Sequence, residues 1–391
     1  MLKRNSSLKL PVGQIEKKLK KTAEKFSIKY PRKIFVRHFA RLLLRFLLRI
    51  LTRLEIQGKE NIPEKGPVIL AGNHVSVLEA ALMIAFSPRL VEMLGTGDIP
   101  LDPNYAWIAN FYGFIPVNRG NLDREALQKC HSVLDQNGVI GIFPEGGIWN
   151  PANMQAQTGV SLISYKAKAP VVPIGFGGMI GALNEAFKLK RPKVVMNIGT
   201  PLPPIVINKE ESVKEGLQRG ANEILKAIDA LLPSDEIKNR VKRLDETFDL
   251  EISVQNQSEY INIPSELRVI HASALARLFY TPVLLDTLKR NLNLPISPLK
   301  DQSPIKDKTA FKTTLFSILN YLEINPGFFT YRYGIEEGLA VKDALNELSN
   351  LVSWVQDTRF DIYLNPVQKY QDAQTLQWNY RQGGDFPKSI R

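Results

Sequence analysis

A histidine and a glutamate stand five positions apart in the stretch GNHVSVLEA, residues 72–80. His74 could take a proton from a hydroxyl or a water, because histidine is the side chain whose usual pKa lies near neutrality. Glu79 could orient the imidazole and stabilise its protonated form. On a regular helix, two side chains five residues apart point about 140° away from each other. The pair can therefore meet only if His74 lies in a loop before a helix that begins near Glu79.

A structural explanation of Glu79 is also open. Ser76 and Glu79 form the pattern S-x-x-E, which is a capping box. In a capping box, the serine hydroxyl and the glutamate carboxylate each accept from a backbone N–H at the start of a helix. The apolar run after Ser76 predicts such a helix over 77–86. Glu79 would then be a capping residue, and His74, two positions before the cap, would have no part in it.

The chain has 391 residues, of which 44% are hydrophobic and 23% charged, enough for a large domain and a second one. Its single cysteine, Cys130, excludes an internal disulfide and a thiolate-rich metal site, and its helical surroundings favour a buried, unreactive thiol. The net charge of +12 comes from residues 1–60, which hold 17 Lys and Arg against 4 Asp and Glu. A basic arm of this kind seeks anionic lipid, nucleic acid or an acidic protein.

Five arginines recur at four-residue intervals in PRKIFVRHFARLLLRFLLRILTRLEI, residues 31–56. On a helix they form a winding stripe, and Leu, Phe and Ile cover the rest. Charges interrupt the run too often for a transmembrane span or a signal peptide. We expect residues 31–54 to form a basic amphipathic helix on an anionic membrane, with a core helix whose arginines face water as the alternative. We expect no nucleic acid partner, because base-reading polar residues and aromatic platforms are missing.

Short apolar runs alternate with helical stretches from about residue 55. The alternation predicts an α/β domain over residues 55–235, with a mixed sheet flanked by helices, behind a basic arm of residues 1–54. Residues 236–263 are polar and are expected to form a linker. Residues 264–391 predict a mainly helical C-terminal extension of unknown role. The predicted strands are 67–72, 89–96, 114–119, 138–144, 170–176 and 193–200, and the predicted helices lie near 77–86, 122–136, 156–168 and 209–232.

Three further motifs coincide with predicted strands of this domain. YGFIPVNRG ends a strand at Arg119, GIFPEGGIW ends one at Glu145, and APVVPIGF forms a third. Charged side chains placed just after the strands of an open α/β sheet lie where ligands tend to bind. Arg119 could hold a phosphate through a bidentate fork, and Glu145 could accept from a hydroxyl. Taken singly, each motif fits an exposed strand end or a turn equally well.

Together, the order and spacing of NHVSVLE and these three motifs resemble the glycerolipid acyltransferase family. The resemblance covers about residues 55–205 and is supported by IQGKENIPEKGPVILAGNH and NIGTPLPP. It implies that His74 is the general base, that Glu79 orients it, and that Arg119 binds the phosphate of the acceptor. The other positions expected at the substrate-binding site are Asn73, Ser76, Gly113, Glu145 and Gly146.

The resemblance implies transfer of a fatty acyl group from acyl-CoA or acyl carrier protein to a lipid alcohol, without a metal or organic cofactor. The expected acceptor is 1-acylglycerol-3-phosphate or a related lysophospholipid, and the expected location is the cytoplasmic side of a membrane, as a peripheral protein. Three departures from the family pattern leave the acceptor open. They are Glu79 in place of the usual aspartate, Gly147-Ile148-Trp149 after Glu145 and Gly146 in GIFPEGGIW, and Asp98 where a lysine is common. A non-catalytic membrane-binding protein on the same fold and an acyl thioesterase are the alternatives.

Overall fold

Two domains with separate hydrophobic cores make up the described part of the chain. The structure is a computed structural model. It describes residues 26–74, 76–97, 103–118, 123–145, 156–234, 243–280, 282–295, 297, 299, 304–372 and 377–382.

A seven-stranded sheet forms the centre of the first domain, the α/β domain. Its strands are β1 (Arg53–Gln57), β2 (Val68–Gly72), β3 (Val91–Thr96), β4 (Ile115–Val117), β5 (Val139–Ile142), β6 (Val171–Gly177) and β7 (Lys193–Ile198). Their order in the sheet is β1-β7-β6-β2-β5-β3-β4, and all neighbours are parallel except β6 and β7, which are antiparallel. The predicted mixed sheet and its six predicted strands are confirmed, and β1 is an additional edge strand.

Helices cover both faces of this sheet. Along β2, Val68 and Leu70 face one core while Ile69 and Ala71 face the other, because successive side chains of a strand point to opposite sides. Helices α1, α2 and α6 lie on the first face, and α4, α5 and α7 lie on the second. The helices are α1 (Ile34–Leu51), α2 (Leu78–Phe86), α3 (Pro103–Tyr112), α4 (Arg124–Asp135), α5 (Gly159–Ala167), α6 (Ala182–Phe187) and α7 (Val213–Asp229), with a 3-10 turn at Lys59–Asn61.

The C-terminal domain combines helices with a second sheet. Its helices are α8 (Ala272–Phe279), α9 (Pro282–Asn291), α10 (Lys308–Ile324), α11 (Gly327–Tyr333) and α12 (Ile335–Val355), with a 3-10 turn at Ser265–Leu267. Its strands are β8 (Arg243–Asn256), β9 (Glu259–Ile261), β10 (Asp361–Asp372) and β11 (Trp378–Gln382), in the antiparallel order β11-β10-β8-β9.

The predicted helices of the C-terminal extension are confirmed, but its four-stranded sheet was not predicted. Residues 243–261, which fell within the predicted linker 236–263, form β8 and β9 instead. The linker prediction failed although residues 247–255, TFDLEISVQ, alternate polar and apolar residues, which is typical of a strand with one buried face. Leu250 and Val254 are buried, and Phe248 and Ile252 pack against the same core.

A buried ion pair fixes the first half of α1 to the α/β domain. Arg37 and Glu92 are both fully buried. Nη1 of Arg37 donates to Oε1 of Glu92, and Nη2 donates to Oε2 at 2.7 Å. Arg32 adds a 2.8 Å bond to the same carboxylate, and the Arg37 guanidinium lies 4.6 Å from the centre of the Tyr112 ring. Because a buried charge needs a partner, this contact commits α1 to the domain.

Two further arginines of α1 bind the end of α2. Arg41 donates to the carbonyl of Ser87, and Arg45 donates to the carbonyl of Ala85. The last carbonyls of a helix have no partner within it, and they carry the negative end of the helix dipole. Guanidinium groups are therefore well suited to this position, and they join α1 to α2.

The apolar side chains of α1 consequently point outward. Both interpretations of the sequence placed the arginine stripe against water or lipid, and the structure corrects this for Arg37, Arg41 and Arg45. Phe35 is 91% exposed and Phe39 is 63% exposed. Among the described helices, none has the length and hydropathy that crossing a membrane requires. The exposed apolar side chains of α1 are Ile34, Phe35, Phe39, Leu42, Leu43, Phe46, Leu47 and Ile50.

We expect Glu92→Gln to destabilise the α/β domain by about 3–5 kcal/mol, because it leaves the buried charge of Arg37 without a carboxylate. Glu55→Gln is the matched control. Glu55 pairs with Lys193 at 3.0 Å, and both side chains are more than half exposed, so its loss is expected to cost less than about 1 kcal/mol. Urea unfolding followed by circular dichroism measures both. Equal costs for the two variants would show that the buried pair does not anchor α1.

Candidate active site

The candidate site lies at the edge of the sheet where the parallel strands end. β2 ends at Gly72 and is followed by Asn73 and His74, while β5 is followed by Phe143 and Glu145. β2 and β5 are neighbours and run parallel, so the loops after them leave the same edge of the sheet. This is the edge at which open α/β sheets commonly bind ligands.

The structure brings His74 and Glu79 together. Nδ1 of His74 lies 3.6 Å from Oε2 of Glu79. Helix α2 begins at Leu78, so His74 lies in the loop before it, as their meeting requires. The Glu79 side chain is fully buried, whereas that of His74 is 18% exposed. Because Nδ1 is a buried atom, the ring edge with Nε2 is the one that a substrate can reach.

The same carboxylate also caps α2. Both oxygens of Glu79 accept from the backbone N–H of Ser76 at 3.0 Å. The Ser76 hydroxyl accepts from the backbone N–H of Leu78 at 3.3 Å. The two interpretations of Glu79 are therefore compatible, since one carboxylate stabilises the start of the helix and lies beside the histidine.

Two side chains that follow β5 hold His74 in place. The rings of His74 and Phe143 are stacked, with centroids 4.0 Å apart and planes inclined by 9°. Oε2 of Glu145 accepts from the backbone N–H of His74 at 3.0 Å, and Glu145 is only 2% exposed. The stacking partner was not predicted, although Phe143 directly precedes the motif that contains Glu145. A contact between Glu145 and substrate stays a prediction.

Asn73 links the end of β2 to β6. Its amide group donates to the carbonyl of Phe176 at 3.0 Å, and its Oδ1 accepts from the N–H of the same residue at 2.7 Å. Asn73 is fully buried, so it positions the backbone before His74, and its contact with substrate stays a prediction. The preceding Gly72 leaves room for this approach, because a Cβ there would lie 2.6 Å from the Phe176 ring. Together these contacts hold the backbone just before His74.

Gly113 lies away from the site. It precedes β4, at the opposite edge of the parallel strands, and has a φ of 81°, which favours glycine. Its carbonyl accepts from Arg32 at 2.6 Å and from Arg37 at 3.0 Å. In the structure Gly113 contacts the N-terminal segment, and its role at the substrate site stays a prediction. Arg119 and Gly146 lie outside the described residues.

Asp123 joins Asn118, which follows β4, to the start of α4. Its carboxylate accepts from the backbone N–H groups of Asn118 and Ala126, each at 2.9 Å, and so caps α4. Partial burial raises the pKa of this carboxyl. The backbone N–H donors, Ala126 first, together lower it by more than burial raises it, so the pKa lies below its usual value. The sequence contained a signal for it, because Asp123 immediately precedes a helical pattern and aspartate is a preferred N-cap.

A histidine beside a buried carboxylate, at the ligand-binding edge of an α/β sheet, defines a class of enzymes that activate a hydroxyl or a water for attack on an electrophile. Residues 53–177 match the model of the acyltransferase family. This match supports a place for the α/β domain in the glycerolipid acyltransferase family and an O-acyltransferase activity.

Relatives with known names agree with this assignment. The chain is 26% identical to a 1-acyl-sn-glycerol-3-phosphate acyltransferase of Bacillus subtilis, over 38% of this chain and 73% of that protein. It is 30% identical to one of Borreliella burgdorferi, over 24% of this chain and 38% of that protein. The crystal structure of the acyltransferase PlsC from Thermotoga maritima aligns with a TM-score of 0.36 and 17% identity, covering 56% of this chain and 89% of that one. A structural likeness at that level does not support an assignment of fold or function.

We expect Glu79→Gln to lower kcat/KM by about 10²-fold or more, because the charge that supports a protonated His74 is removed. Glutamine can still accept from the Ser76 N–H, so we expect the free energy of unfolding to change by less than about 1 kcal/mol. Steady-state kinetics and urea unfolding measure the two effects. Glu79→Ala is the control, since it also removes the cap and is expected to lower both. Rate and stability falling together in Glu79→Gln would contradict a role beyond capping.

Proposed function

We propose that this protein transfers a fatty acyl group from acyl-CoA or acyl carrier protein to the hydroxyl of 1-acylglycerol-3-phosphate or a related lysophospholipid. The observation that carries the proposal is the buried Glu79 carboxylate, 3.6 Å from Nδ1 of a partly exposed His74. The names of the relatives support the acceptor class. The identity of the donor rests on the chemistry of thioesters alone.

His74 acts as the general base in this proposal. Its Nε2 takes the proton of the acceptor hydroxyl while the hydroxyl oxygen attacks the thioester carbon. Glu79 faces the other ring nitrogen, so it orients the imidazole and stabilises the imidazolium that forms. The stacked ring of Phe143 limits rotation of the imidazole out of this orientation.

The proton then passes to the leaving group. The tetrahedral intermediate collapses, the bond between carbon and sulfur breaks, and His74 returns its proton to the thiolate. His74 ends neutral, and the acyl group has moved directly from donor to acceptor without an enzyme-bound ester. The course consumes only the two substrates, so we propose no metal and no organic cofactor.

We also propose that α1 holds the protein as a peripheral protein on the cytoplasmic side of a membrane. Support comes from its row of exposed Leu, Phe and Ile side chains, since an apolar helix face binds in proportion to the area it buries in lipid. Three of the arginines are engaged within the domain, so apolar area is the first source of affinity. The exposed Arg49 adds attraction to anionic lipid.

Thiol release from acyl-CoA, with and without a panel of lysolipids, tests the proposed reaction. We expect release to require an acceptor and to fall by about 10²-fold or more in His74→Ala, because the base is lost. The acceptor with the highest rate identifies the lipid substrate. The same assay with acyl carrier protein identifies the donor.

Other outcomes of this assay separate the alternatives. Release without any acceptor that still depends on His74 would indicate an acyl thioesterase. An absence of release from both donors would contradict acyl transfer and favour a non-catalytic membrane-binding protein. Release that is unchanged in His74→Ala would leave the activity but refute this residue as its base.

Substitution of exposed aromatic residues tests the membrane contact without disturbing the arginines. We expect Phe39→Ser to weaken binding to phosphatidylcholine vesicles containing phosphatidylglycerol by about tenfold, since it removes one buried aromatic ring from the bilayer. Phe316→Ser on α10 is the matched control, because both side chains are 63% exposed. Vesicle sedimentation measures both. Equal losses in the two variants would contradict attachment through α1.

A further inference from the structure

A second exposed apolar segment follows α6. Phe187, its last residue, is 72% exposed, and Leu189 is 74% exposed. Exposed cations lie between and after these two side chains, at Lys188, Lys190 and Arg191. Large apolar side chains among cations are typical of surfaces that enter the headgroup region of an anionic bilayer.

The backbone holds this segment in one conformation. The N–H of Lys190 donates to the carbonyl of Glu185 at 3.0 Å, and the N–H of Leu189 donates to that of Ala186 at 2.9 Å. These two bonds form a Schellman motif at the end of α6. Leu189 occupies the left-handed position of this motif, with a φ of 58°, where glycine is the usual residue.

The fold itself gives no reason for a leucine at this position. A residue with a Cβ is disfavoured in the left-handed conformation, and glycine would remove that strain. Burial of the Leu189 side chain in the core does not offset this strain, because most of the side chain is exposed. Strained residues whose conformation the surrounding structure enforces are commonly functional.

The segment lies beside the end of α1. Nη2 of Arg191 donates to the carbonyls of Arg49 and Thr52 at 3.3 and 3.4 Å. Helix α6 packs on the same face of the sheet as α1. The segment that carries Phe187 and Leu189 therefore lies next to the C-terminal end of α1.

The charge of the segment favours anionic lipid. Residues 188–193, KLKRPK, contain four cations. Two carboxylates lie near them, with Glu185 at 3.9 Å from Lys190 and Glu55 at 3.0 Å from Lys193. The segment with these two partners keeps a net positive charge, which is complementary to an anionic headgroup layer.

We propose that residues 187–191 insert into the headgroup region of a bilayer that contains anionic lipid, as a second contact besides α1. The inference rests on the proposed attachment of α1 and adds to it. Through α1 alone, only the width of one apolar helix face limits the tilt of the attached body. A second contact beside the end of that helix widens the attached surface and sets the orientation of the acceptor site towards the lipid.

Leu189→Gly separates a membrane role from a role in folding. We expect its melting temperature to stay equal or to rise, because the left-handed backbone is relieved. We expect its binding to phosphatidylcholine vesicles containing phosphatidylglycerol to fall by about 5- to 20-fold, as one leucine no longer enters the bilayer. Lys168→Gly is the matched control, since Lys168 has a φ of 50° at the end of α5, on the opposite face of the sheet. Unchanged vesicle binding in Leu189→Gly would overturn the inference.

Site-specific fluorescence separates this inference from the proposed attachment. Burial raises the pKa of the Cys130 thiol to about 12, so this cysteine does not compete for labelling. A polarity-sensitive dye on Leu189→Cys and on Phe39→Cys is expected to shift to the blue with the same vesicles, and to stay unchanged on Lys168→Cys. A shift at 39 without one at 189 would overturn the second contact and leave α1 attached. A shift at neither position would overturn both.

Discussion

The buried pair of Arg37 and Glu92 determines which side of α1 faces the α/β domain. Leaving a buried charge unpaired costs about 3–5 kcal/mol, so the helix cannot rotate about its axis without losing much of the stability of the domain. With Arg37 buried and with Arg41 and Arg45 bound to the end of α2, the helix presents Leu, Phe and Ile to its surroundings. Exposed apolar area is normally unfavourable in water, yet here it accompanies one of the strongest contacts of the fold.

The contact of α1 with α2 connects α1 to the candidate active site. Arg41 and Arg45 bind the last carbonyls of α2, and the first turn of α2 supplies Glu79. The helix that is proposed to meet lipid and the carboxylate beside His74 are thus connected through one short helix. At the other side of the ring, Phe143 and Glu145 follow the neighbouring strand. His74 is therefore positioned by two elements that are both anchored in the sheet.

Local patterns in the sequence predicted the strands, because these depend on residues close together in the chain. They left the meeting of His74 with Glu79 open, and the resemblance to the acyltransferases implied it. They did not predict that the arginines face inward. Periodicity shows which residues share a helix face, but not which face finds a partner, and Glu92 is 55 residues from Arg37. The one available signal was a glutamate within the apolar strand RLVEMLGT, since a buried carboxylate requires a cation. The second sheet was not predicted, although residues 247–255 of β8 alternate polar and apolar side chains.

The two domains do not share a core. The core residues of the α/β domain end at Ile228, and those of the C-terminal domain begin at Leu250. Each domain thus has its own apolar interior to lose on unfolding, so we expect the two domains to unfold in separate transitions, each with its own free energy of unfolding. The same separation has an evolutionary meaning: the C-terminal domain can be acquired, exchanged or lost without cutting through the packing around His74.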